Sequence, residues 1–398
     1  MTARASMAPR RAWASVLRSA PAGQATIPFY LLLGLVLTLN AIGLVMVLSV
    51  SSVTSLYAGQ STWFTFQRQL VWCMGGLVAM VLVMRTDYRQ FKRHANAVAA
   101  LTMALLVAVL IPGIGTTANG ATRWVYFGPI SFQPSELAKL GMVLFASAWL
   151  ADKAGEERNA RTTIRPVLVI CSIMCGLILL QPDLGTAVVI VVIAFAALFM
   201  AGVRLLPLTG WSLVSGAAAA LAAWGSGYRR DRVTSMLDPW SDPLDTGWQT
   251  IQSRVGIASG GASGVGLGES RIKWGFLPEA HTDFIFAVLA EEMGWLGAMF
   301  VVGLFALFAF CGIWVALNAA DRFGQVLATG ITVWVGVQGF VNIAAVVGVL
   351  PITGVPLPFL SVGGSALLSS MVAVGMLLNI ARQVKVAPDA ARRAGVAP

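Results

Sequence analysis

Long apolar runs are the feature that most constrains what this chain can fold into. Ten stretches suit membrane-spanning helices, at approximately 27–50, 68–84, 97–113, 135–151, 166–181, 184–201, 205–225, 283–316, 325–348 and 365–381. Crossing a bilayer core as a helix takes about 20 mostly apolar residues. Only 11% of the residues are charged, against roughly 25% in soluble domains. The sequence therefore predicts an all-α polytopic integral membrane protein of about ten transmembrane helices, with one long external loop between helices 7 and 8.

Lysine and arginine predict the orientation, because cytoplasmic segments carry an excess of these residues. Placing both termini in the cytoplasm puts most of the 27 basic residues on that side. The chain then divides into a basic cytoplasmic tail (1–26), a membrane domain (27–383) with its large external loop (226–282), and a cytoplasmic C-terminal tail (384–398). The net charge of +10 is a topology signal, so nucleic acid is not needed to explain it.

The long external loop carries basic clusters near both of its ends. "YRRDR" contributes Arg229, Arg230 and Arg232, and "RIKWG" contributes Arg271 and Lys273. If the flanking spans are neighbours, both clusters meet at the external membrane surface. Arginine forks and a lysine point charge suit a lipid pyrophosphate. Anchoring to anionic headgroups explains the same pattern equally well.

A second feature is the stretch "GFLPEAHTDFIFAVLAEEMGW", which combines carboxylates with an apolar run. We expect Thr282 to cap the following helix and Asp283 to lie in its first turn, where the helix dipole favours an ionised carboxylate. Glu291 and Glu292 then fall roughly 12–14 Å further along the helix. Carboxylates at that depth usually line a cavity or pathway. The preceding "SGGASGVGLG" (259–268) lacks the ending of a P-loop, which favours a lid or hinge over nucleotide binding.

Other polar residues lie within or beside apolar runs. Glu136 and Lys139 are three apart on one helix face, a spacing that predicts an ion pair. Gln338 and Asn342 are four apart in the ninth run. The proline- and glycine-rich segment 351–368 indicates irregular backbone that lines a protein cavity.

Two further charged residues lie at external turns, Asp183 in "QPDLGT" and Arg123 in "RWVYFGP". The four cysteines all lie in apolar runs and are interpreted as small core residues. Neither an HExxH nor a GxSxG motif occurs. These observations predict a carboxylate- and arginine-lined external cavity, which suits a lipid-linked transferase or a transporter.

Several longer motifs resemble one family in its own order along the chain. They are "NGATRWVYFGPISFQPSELAKL", "LLQPDLGTAVVI", "YRRDRVTSMLDPWSDP", "KWGFLPEAHTDFIFAVLAEEMG" and "LPFLSVGGSALL". Together they resemble the SEDS family of bacterial peptidoglycan polymerases, from the third span to the tenth. The form of "YRRDRVTSMLDPW" and the basic N-terminal arm resemble the division branch, FtsW, more than the elongation branch, RodA.

The resemblance implies a glycosyltransferase that polymerises lipid II at the outer face of the bacterial cytoplasmic membrane during septal cell-wall synthesis. It assigns the catalytic role to Asp283, as general base. The predicted substrate- and pyrophosphate-binding residues are Arg123, Lys139, Arg229, Arg230, Arg232, Arg271, Lys273, His281, Ser361, Gly363 and Gly364. The predicted supporting residues are Glu136, Asp183, Glu279, Glu291 and Glu292.

The expected reaction is a single inverting displacement with undecaprenyl pyrophosphate as the leaving group. No cofactor is firmly implied, although a divalent cation, Mg²⁺ or Mn²⁺, could assist. The implied partners are lipid II, a class B penicillin-binding transpeptidase and other division membrane proteins. Two positions depart from the family pattern, Val362 in place of an aromatic residue and Glu269 in place of asparagine. Neither removes an acid-base residue, so we expect activity to persist.

Three alternatives remain at this point. A lipid II flippase or other transporter would use Glu136, Lys139, Glu291 and Glu292 as a polar translocation path. A non-catalytic scaffold would only recruit and activate the transpeptidase. An elongation-type polymerase would share the chemistry but not the division role.

Overall fold

The computed structural model describes residues 26–384 apart from 58, 60, 119–120, 129, 157–158 and 226. The described helices are α1 (Ile27–Tyr57), α2 (Phe64–Arg85), α3 (Arg89–Ala108), α4 (Pro134–Asp152), α5 (Arg165–Leu180), α6 (Leu184–Met200), α7 (Leu205–Trp224), α8 (Gly227–Leu237), α9 (Trp248–Ser259), α10 (Ile285–Asn318), α11 (Arg322–Val347) and α12 (Gly364–Arg382). The described strands are β1 (Gly115–Ala118), β2 (Ala121–Phe127) and β3 (Ile130–Phe132). The predicted tails lie outside the described residues except for Thr26 and Val384.

Ten of these helices coincide with the ten predicted apolar runs, which confirms an all-helical polytopic membrane protein. Six helical stretches are long and apolar enough to cross a membrane by length and composition. They are Ile27–Val53, Phe64–Arg85, Arg161–Leu180, Ile285–Asn318, Arg322–Val347 and Gly364–Arg382. α6 and the Leu208–Leu221 part of α7 are shorter apolar helices. The remaining two helices, α8 and α9, lie in the long loop between α7 and α10, which the sequence predicts to be external.

α11 lies at the centre of the bundle and packs against α4, α6, α10 and α12. Small residues allow this close approach. A Cβ on Gly312 of α10 would lie 2.2 Å from the Thr332 hydroxyl of α11, and one on Gly330 would lie 3.0 Å from Val143 of α4. The indole of Trp334 is fully buried between these helices. The centre of the fold is therefore tightly packed, and the site is built around the end of α11.

A three-stranded antiparallel meander, in the order β1–β2–β3, follows α3 and was not predicted from the sequence. Val125 at its centre pairs with Gly115 on one side and Phe132 on the other. The register between β1 and β2 shifts at Thr116 and Thr117, so Arg123 has no partner on β1 and lies at a β-bulge, a feature that redirects a side chain. The meander therefore directs Arg123 toward the helices instead of toward solvent.

The predicted eighth span is one run in the sequence but not one straight helix. Gly294 within α10 has φ 68° and ψ −171°, which lies far outside helical backbone geometry. The break divides α10 into a short segment, Ile285–Met293, and a long one, Trp295–Asn318. Asp283 lies immediately before the short segment, so the break affects where that carboxylate lies.

Candidate active site

Asp283, Arg123 and Arg232 converge on one backbone position, Gly354. A Cβ built on Gly354 would lie 3.6 Å from Asp283 Oδ2 and 3.8 Å from the Nη1 atoms of both Arg123 and Arg232. Asp283 also lines a small pocket together with Asn342 and the 352–355 backbone. Gly354 has φ +71° and no side chain, so the space between the carboxylate and the two guanidinium groups stays open. A carboxylate facing two fixed cations across a gap suits a reaction in which a proton leaves and negative charge develops nearby.

The backbone on either side of Asp283 is fixed by side chains from distant segments. Asn342 Nδ2 donates to the carbonyl of Asp283 and to that of Val355, both at 2.8 Å. Both partners are acceptors, which identifies this atom as the amide nitrogen. Asn342 thereby joins the turn carrying the carboxylate to the segment that contains Gly354.

The two preceding carbonyls are held by the Ser361 turn. Ser361 Oγ donates to Thr282 O at 2.5 Å and accepts from Leu357 N at 2.9 Å. The amide of Val362 donates to His281 O at 3.0 Å. Since this contact uses only the backbone of Val362, the departure from an aromatic side chain leaves it intact. Three successive carbonyls, 281 to 283, are thus held before any substrate binds.

The predicted helix start is wrong by two residues. α10 begins at Ile285 with Phe284 as its N-cap, and no side chain caps it. Thr282 cannot act as the cap because its hydroxyl donates instead to Glu279, at 3.2 Å to the carbonyl and 2.9 Å to the carboxylate. Asp283 therefore lies in the turn before the helix instead of in its first turn.

Each arginine of the site uses some of its donors to hold backbone. Arg123 donates through Nε to Gln181 O at 3.0 Å and through Nη2 to Pro182 O, in the turn between α5 and α6. Arg232 donates to Ile352 O at 2.8 Å. These bonds orient both guanidinium planes, so that an Nη1 atom of each is near Gly354.

Burial raises the pKa of Asp283 to about 6, and the negative charge of Glu279 adds to this effect. The nearby cations Arg232 and Arg123 act in the opposite direction, and Asp183 raises the pKa slightly further. Asp283 is then mostly ionised at neutral pH, yet basic enough to accept a proton. Burial also lowers the pKa of His281, against the opposing charge of Glu279, which favours a neutral imidazole.

Asp183 supports the site from the α5–α6 turn. It caps α6 by accepting from Thr186 N at 3.1 Å, and its other oxygen accepts from Gln133 and Ser135 at 3.3 Å each. Gly185, two residues on, lies against the 353–355 backbone, where a Cβ would come within 2.9 Å of Thr353 O. The turn that accepts from Arg123 therefore also packs on the segment containing Gly354.

Lys139 and Glu136 form the predicted ion pair, with 2.8 Å between Nζ and Oε1, and both are buried. Lys139 Nζ also donates to Gln338 Oε1 at 2.7 Å, and Gln338 Nε2 donates to Pro356 O at 2.8 Å. The lysine predicted to bind substrate is thus fully buried against protein groups. In this structure Lys139 supports the 351–357 segment through Gln338, which bonds to the carbonyl of Pro356.

The other predicted binding residues occupy varied surroundings. The side chains of Arg230 and Arg271 are exposed, while that of Arg229 lies outside the described part of the chain. Gly363 N donates to Gln69 Oε1 at 3.4 Å. Gly364 packs so closely on Trp72 that a Cβ would lie 2.2 Å from its indole. Contact of these residues with substrate stays a prediction.

Lys273, Glu291 and Glu292 form contacts away from the Asp283 pocket. Lys273 is buried and pairs with Glu292 at 3.1 Å, and both bond to the Ser49 hydroxyl of α1. Glu291 accepts from two serine hydroxyls and two backbone amides of the external loop. The ammonium group of Lys273 is thus buried in its ion pair with Glu292. Phosphate binding by Lys273 and the supporting roles of the two glutamates stay predictions.

Some residues of the site were not assigned a role from the sequence. Asn342 and Gln338 stood out only by their spacing, although both hold carbonyls of the 355–356 backbone. Gln181 stood out only as part of "QPDLGT", and Gln69 gave no signal because its partners, Ser361 and Gly363, lie far away in sequence.

The chain matches the family described as "Cell cycle protein", comprising FtsW, RodA and SpoVE, over residues 30–386. It is similar to stage V sporulation protein E of Bacillus subtilis, with 40% identity across 90% of this chain and 98% of that protein. It is also similar to a "Probable peptidoglycan glycosyltransferase FtsW" of Geobacter sp. strain M18, with 39% identity across 87% and 95%.

Solved structures resemble the described fold over most of its length. A chain of a peptidoglycan synthase complex, solved for the coordination of polymerization and crosslinking, has a TM-score of 0.72 and 31% identity across 88% of this chain and 96% of that one. The rod shape determining protein RodA of Thermus thermophilus has a TM-score of 0.66 and 28% identity across 89% and 97%.

Proposed function

This chain belongs to the SEDS family of FtsW, RodA and SpoVE, and from that premise we propose that it is a peptidoglycan glycosyltransferase that polymerises lipid II. The observation that carries the proposal is the convergence of Asp283, Arg123 and Arg232 around Gly354. The role in division rests on the relatives named FtsW. The active face is the outer face of the cytoplasmic membrane, with both termini in the cytoplasm, as the lysine and arginine distribution indicates.

In the proposed reaction Asp283 acts as the general base. It takes the proton of the acceptor's GlcNAc 4-hydroxyl while that oxygen attacks the MurNAc anomeric carbon of the donor. The new glycosidic bond forms as the bond to undecaprenyl pyrophosphate breaks, with inversion from α to β. The pyrophosphate leaves with its own charge, so the site needs fixed cations and no general acid. Arg123 and Arg232 supply those cations.

A flippase is less well supported by the contacts of the deep charges. Lys139 bonds to Glu136 and Gln338, Glu291 to the external loop, and Glu292 to Lys273. Each of these groups has a protein partner at close range, which suits structural roles better than a polar translocation path.

We further propose that the chain works with a class B penicillin-binding transpeptidase. The support is its similarity to a chain of a peptidoglycan synthase complex. A divalent cation, Mg²⁺ or Mn²⁺, stays a prediction. The described residues contain no group of three or more His, Cys, Asp or Glu side chains that could hold a metal ion.

The test is polymerisation of purified lipid II by the full chain with its transpeptidase. The rate is measured as the amount of glycan strand that appears on gels over time. We expect Asp283→Asn to lower the rate by about 10²–10⁴-fold. The matched control is Asp245→Asn, which changes an exposed aspartate of the same loop and should leave the rate unchanged. An EDTA arm tests the metal. Glycan made at the normal rate by Asp283→Asn would refute the general-base role, and lipid movement without polymer would support a flippase.

A further inference from the structure

The break in α10 is filled by another part of the chain. In a continuous helix Trp295 N would donate to Glu291 O, and Leu296 N to Glu292 O. Here Trp295 N donates to Gly261 O at 2.8 Å and Leu296 N to Ala262 O at 3.2 Å. The loop 259–268, which we call the glycine strap, has thus inserted its backbone where the helix would have bonded to itself.

The strap completes the exchange with donors of its own. Val265 N donates to Glu291 O at 3.0 Å, and Gly266 N donates to Glu292 O at 3.1 Å. Four bonds between strap and helix therefore replace two bonds within the helix, and the main-chain groups of the break that bond to the strap are satisfied.

Glycine is required on both sides of this insertion. A Cβ on Gly264 would lie 2.1 Å from Glu292 O, and one on Gly294 would lie 2.3 Å from Gly264 N. Both residues also have positive φ, at +84° and +68°. The glycine-rich composition of the strap thus serves close backbone contact as well as turning.

The carboxylate of Glu291 bonds to the first residue of the strap and to residues 270–272, just beyond its end. Its Oε1 accepts from Ser259 Oγ at 3.2 Å and Arg271 N at 3.1 Å. Its Oε2 accepts from Ser270 Oγ at 2.5 Å and Ile272 N at 3.4 Å. Glu291 is 1% exposed, and the four described donors to its carboxylate are neutral. Glu291 therefore holds the backbone around the strap by hydrogen bonds and not by charge pairing.

Asp283 lies in the turn that leads into the short helix segment before the break, and three of the four groups that face it lie on other elements. Arg123 is on β2, Arg232 is on α8 and Asp183 is in the α5–α6 turn, while Glu279 lies earlier in the same turn as Asp283. The angle at Gly294 therefore acts together with the Asn342 and Ser361 contacts to determine where Asp283 lies relative to the two arginines. We propose that Glu291 is a positioning residue for Asp283, acting through the glycine strap that it holds in the break of α10.

This inference rests on the proposed role of Asp283 as general base. Its test compares Glu291→Gln and Gly264→Ala with Val315→Ala, which removes buried volume from α10 beyond the break. Glu291→Gln replaces one of the two acceptor oxygens with an NH₂ group that faces other donors, and Gly264→Ala displaces the strap without any change of charge. Deuterium uptake of the peptide 259–273 reports strap docking, and polymerisation rate against pH reports the surroundings of Asp283.

We expect both strap variants to increase deuterium uptake and to lower kcat at least tenfold. The pH midpoint should move below the wild-type value, because burial is the largest cause of the raised pKa of Asp283 and a displaced Asp283 is less buried. Val315→Ala should lower the melting temperature with wild-type uptake and midpoint. The inference is overturned if uptake rises while kcat and midpoint stay at wild-type values, or if uptake does not change in either strap variant. Failure of the general-base role is seen separately, as full activity of Asp283→Asn.

Discussion

The pH dependence of polymerisation tests the electrostatics of the site most directly. With a pKa of about 6, Asp283 is ionised in about nine-tenths of molecules at pH 7 and about one-tenth at pH 5. The initial rate should therefore rise roughly tenfold across this interval and level off above it, since only the ionised carboxylate accepts a proton. The assay is single-turnover polymerisation of lipid II in detergent between pH 4.5 and 8.5.

Two substitutions should move this midpoint in opposite directions. Arg232 lowers the pKa of Asp283, so Arg232→Gln should move the midpoint upward, by on the order of one pH unit. Glu279 raises it, so Glu279→Gln should move the midpoint downward. Arg232→Lys is the matched control, because it keeps the positive charge while losing the guanidinium fork. This electrostatic explanation would be refuted if the wild-type rate did not change between pH 5 and 7. It would also be refuted if the midpoints of Arg232→Gln and Glu279→Gln moved in the opposite directions.

Three further predictions concern the framework of the site. Asn342→Ala removes the donor that holds Asp283 O and should lower the polymerisation rate at least tenfold; a wild-type rate would show that this clamp is dispensable. Lys139→Met leaves Glu136 buried without its cation and should cost about 3–5 kcal/mol of stability, read as a lower melting temperature, with partial recovery when Glu136→Gln is added. Gly354→Ala places a methyl group between Asp283 and the arginines and should raise KM for lipid II more than it lowers kcat.

The apolar runs located the ten main helices because length and hydrophobicity are local properties of the sequence. Their ends were less accurate. α3 begins at Arg89, whereas the apolar run begins near residue 97, and α1 continues to Tyr57, past the predicted end at residue 50. Polar residues in a helix end outside the hydrocarbon do not interrupt the helix, so hydropathy underestimates its length.

Local contacts of the site were equally accessible from the sequence. Glu136 and Lys139 are three residues apart, and that spacing alone predicts their ion pair. The grouping of Arg123, Arg232 and Asp283 at Gly354 was not accessible, because it depends on how β2, α8 and α10 meet. Motif resemblance marked these residues individually without giving their geometry.

The glycine strap shows where composition alone misleads. Its glycines and serines predicted a lid or hinge, since such sequences have few side chains to pack. The structure instead uses the absence of side chains to bring its backbone against Glu292 O and Gly294. Predicting this would require knowing that α10 breaks at Gly294 and that the strap bonds to the backbone on both sides of the break.

Most of the polar residues that the motifs single out are already bonded to protein in this structure. Ser361 and Asn342 hold carbonyls beside Asp283, Lys139 holds Glu136 and Gln338, and Asp183 caps α6. A single inverting displacement needs one base and fixed cations, so the chemistry itself can be done by very few groups. In the proposed mechanism the remaining motif residues fix that base in place before substrate binds, which avoids the cost of reorganising the site during the reaction. For this reason substitutions in the motifs should differ in kind: those at Asp283 should remove proton transfer, while those at the framework should change the rate through the position and pKa of the same carboxylate.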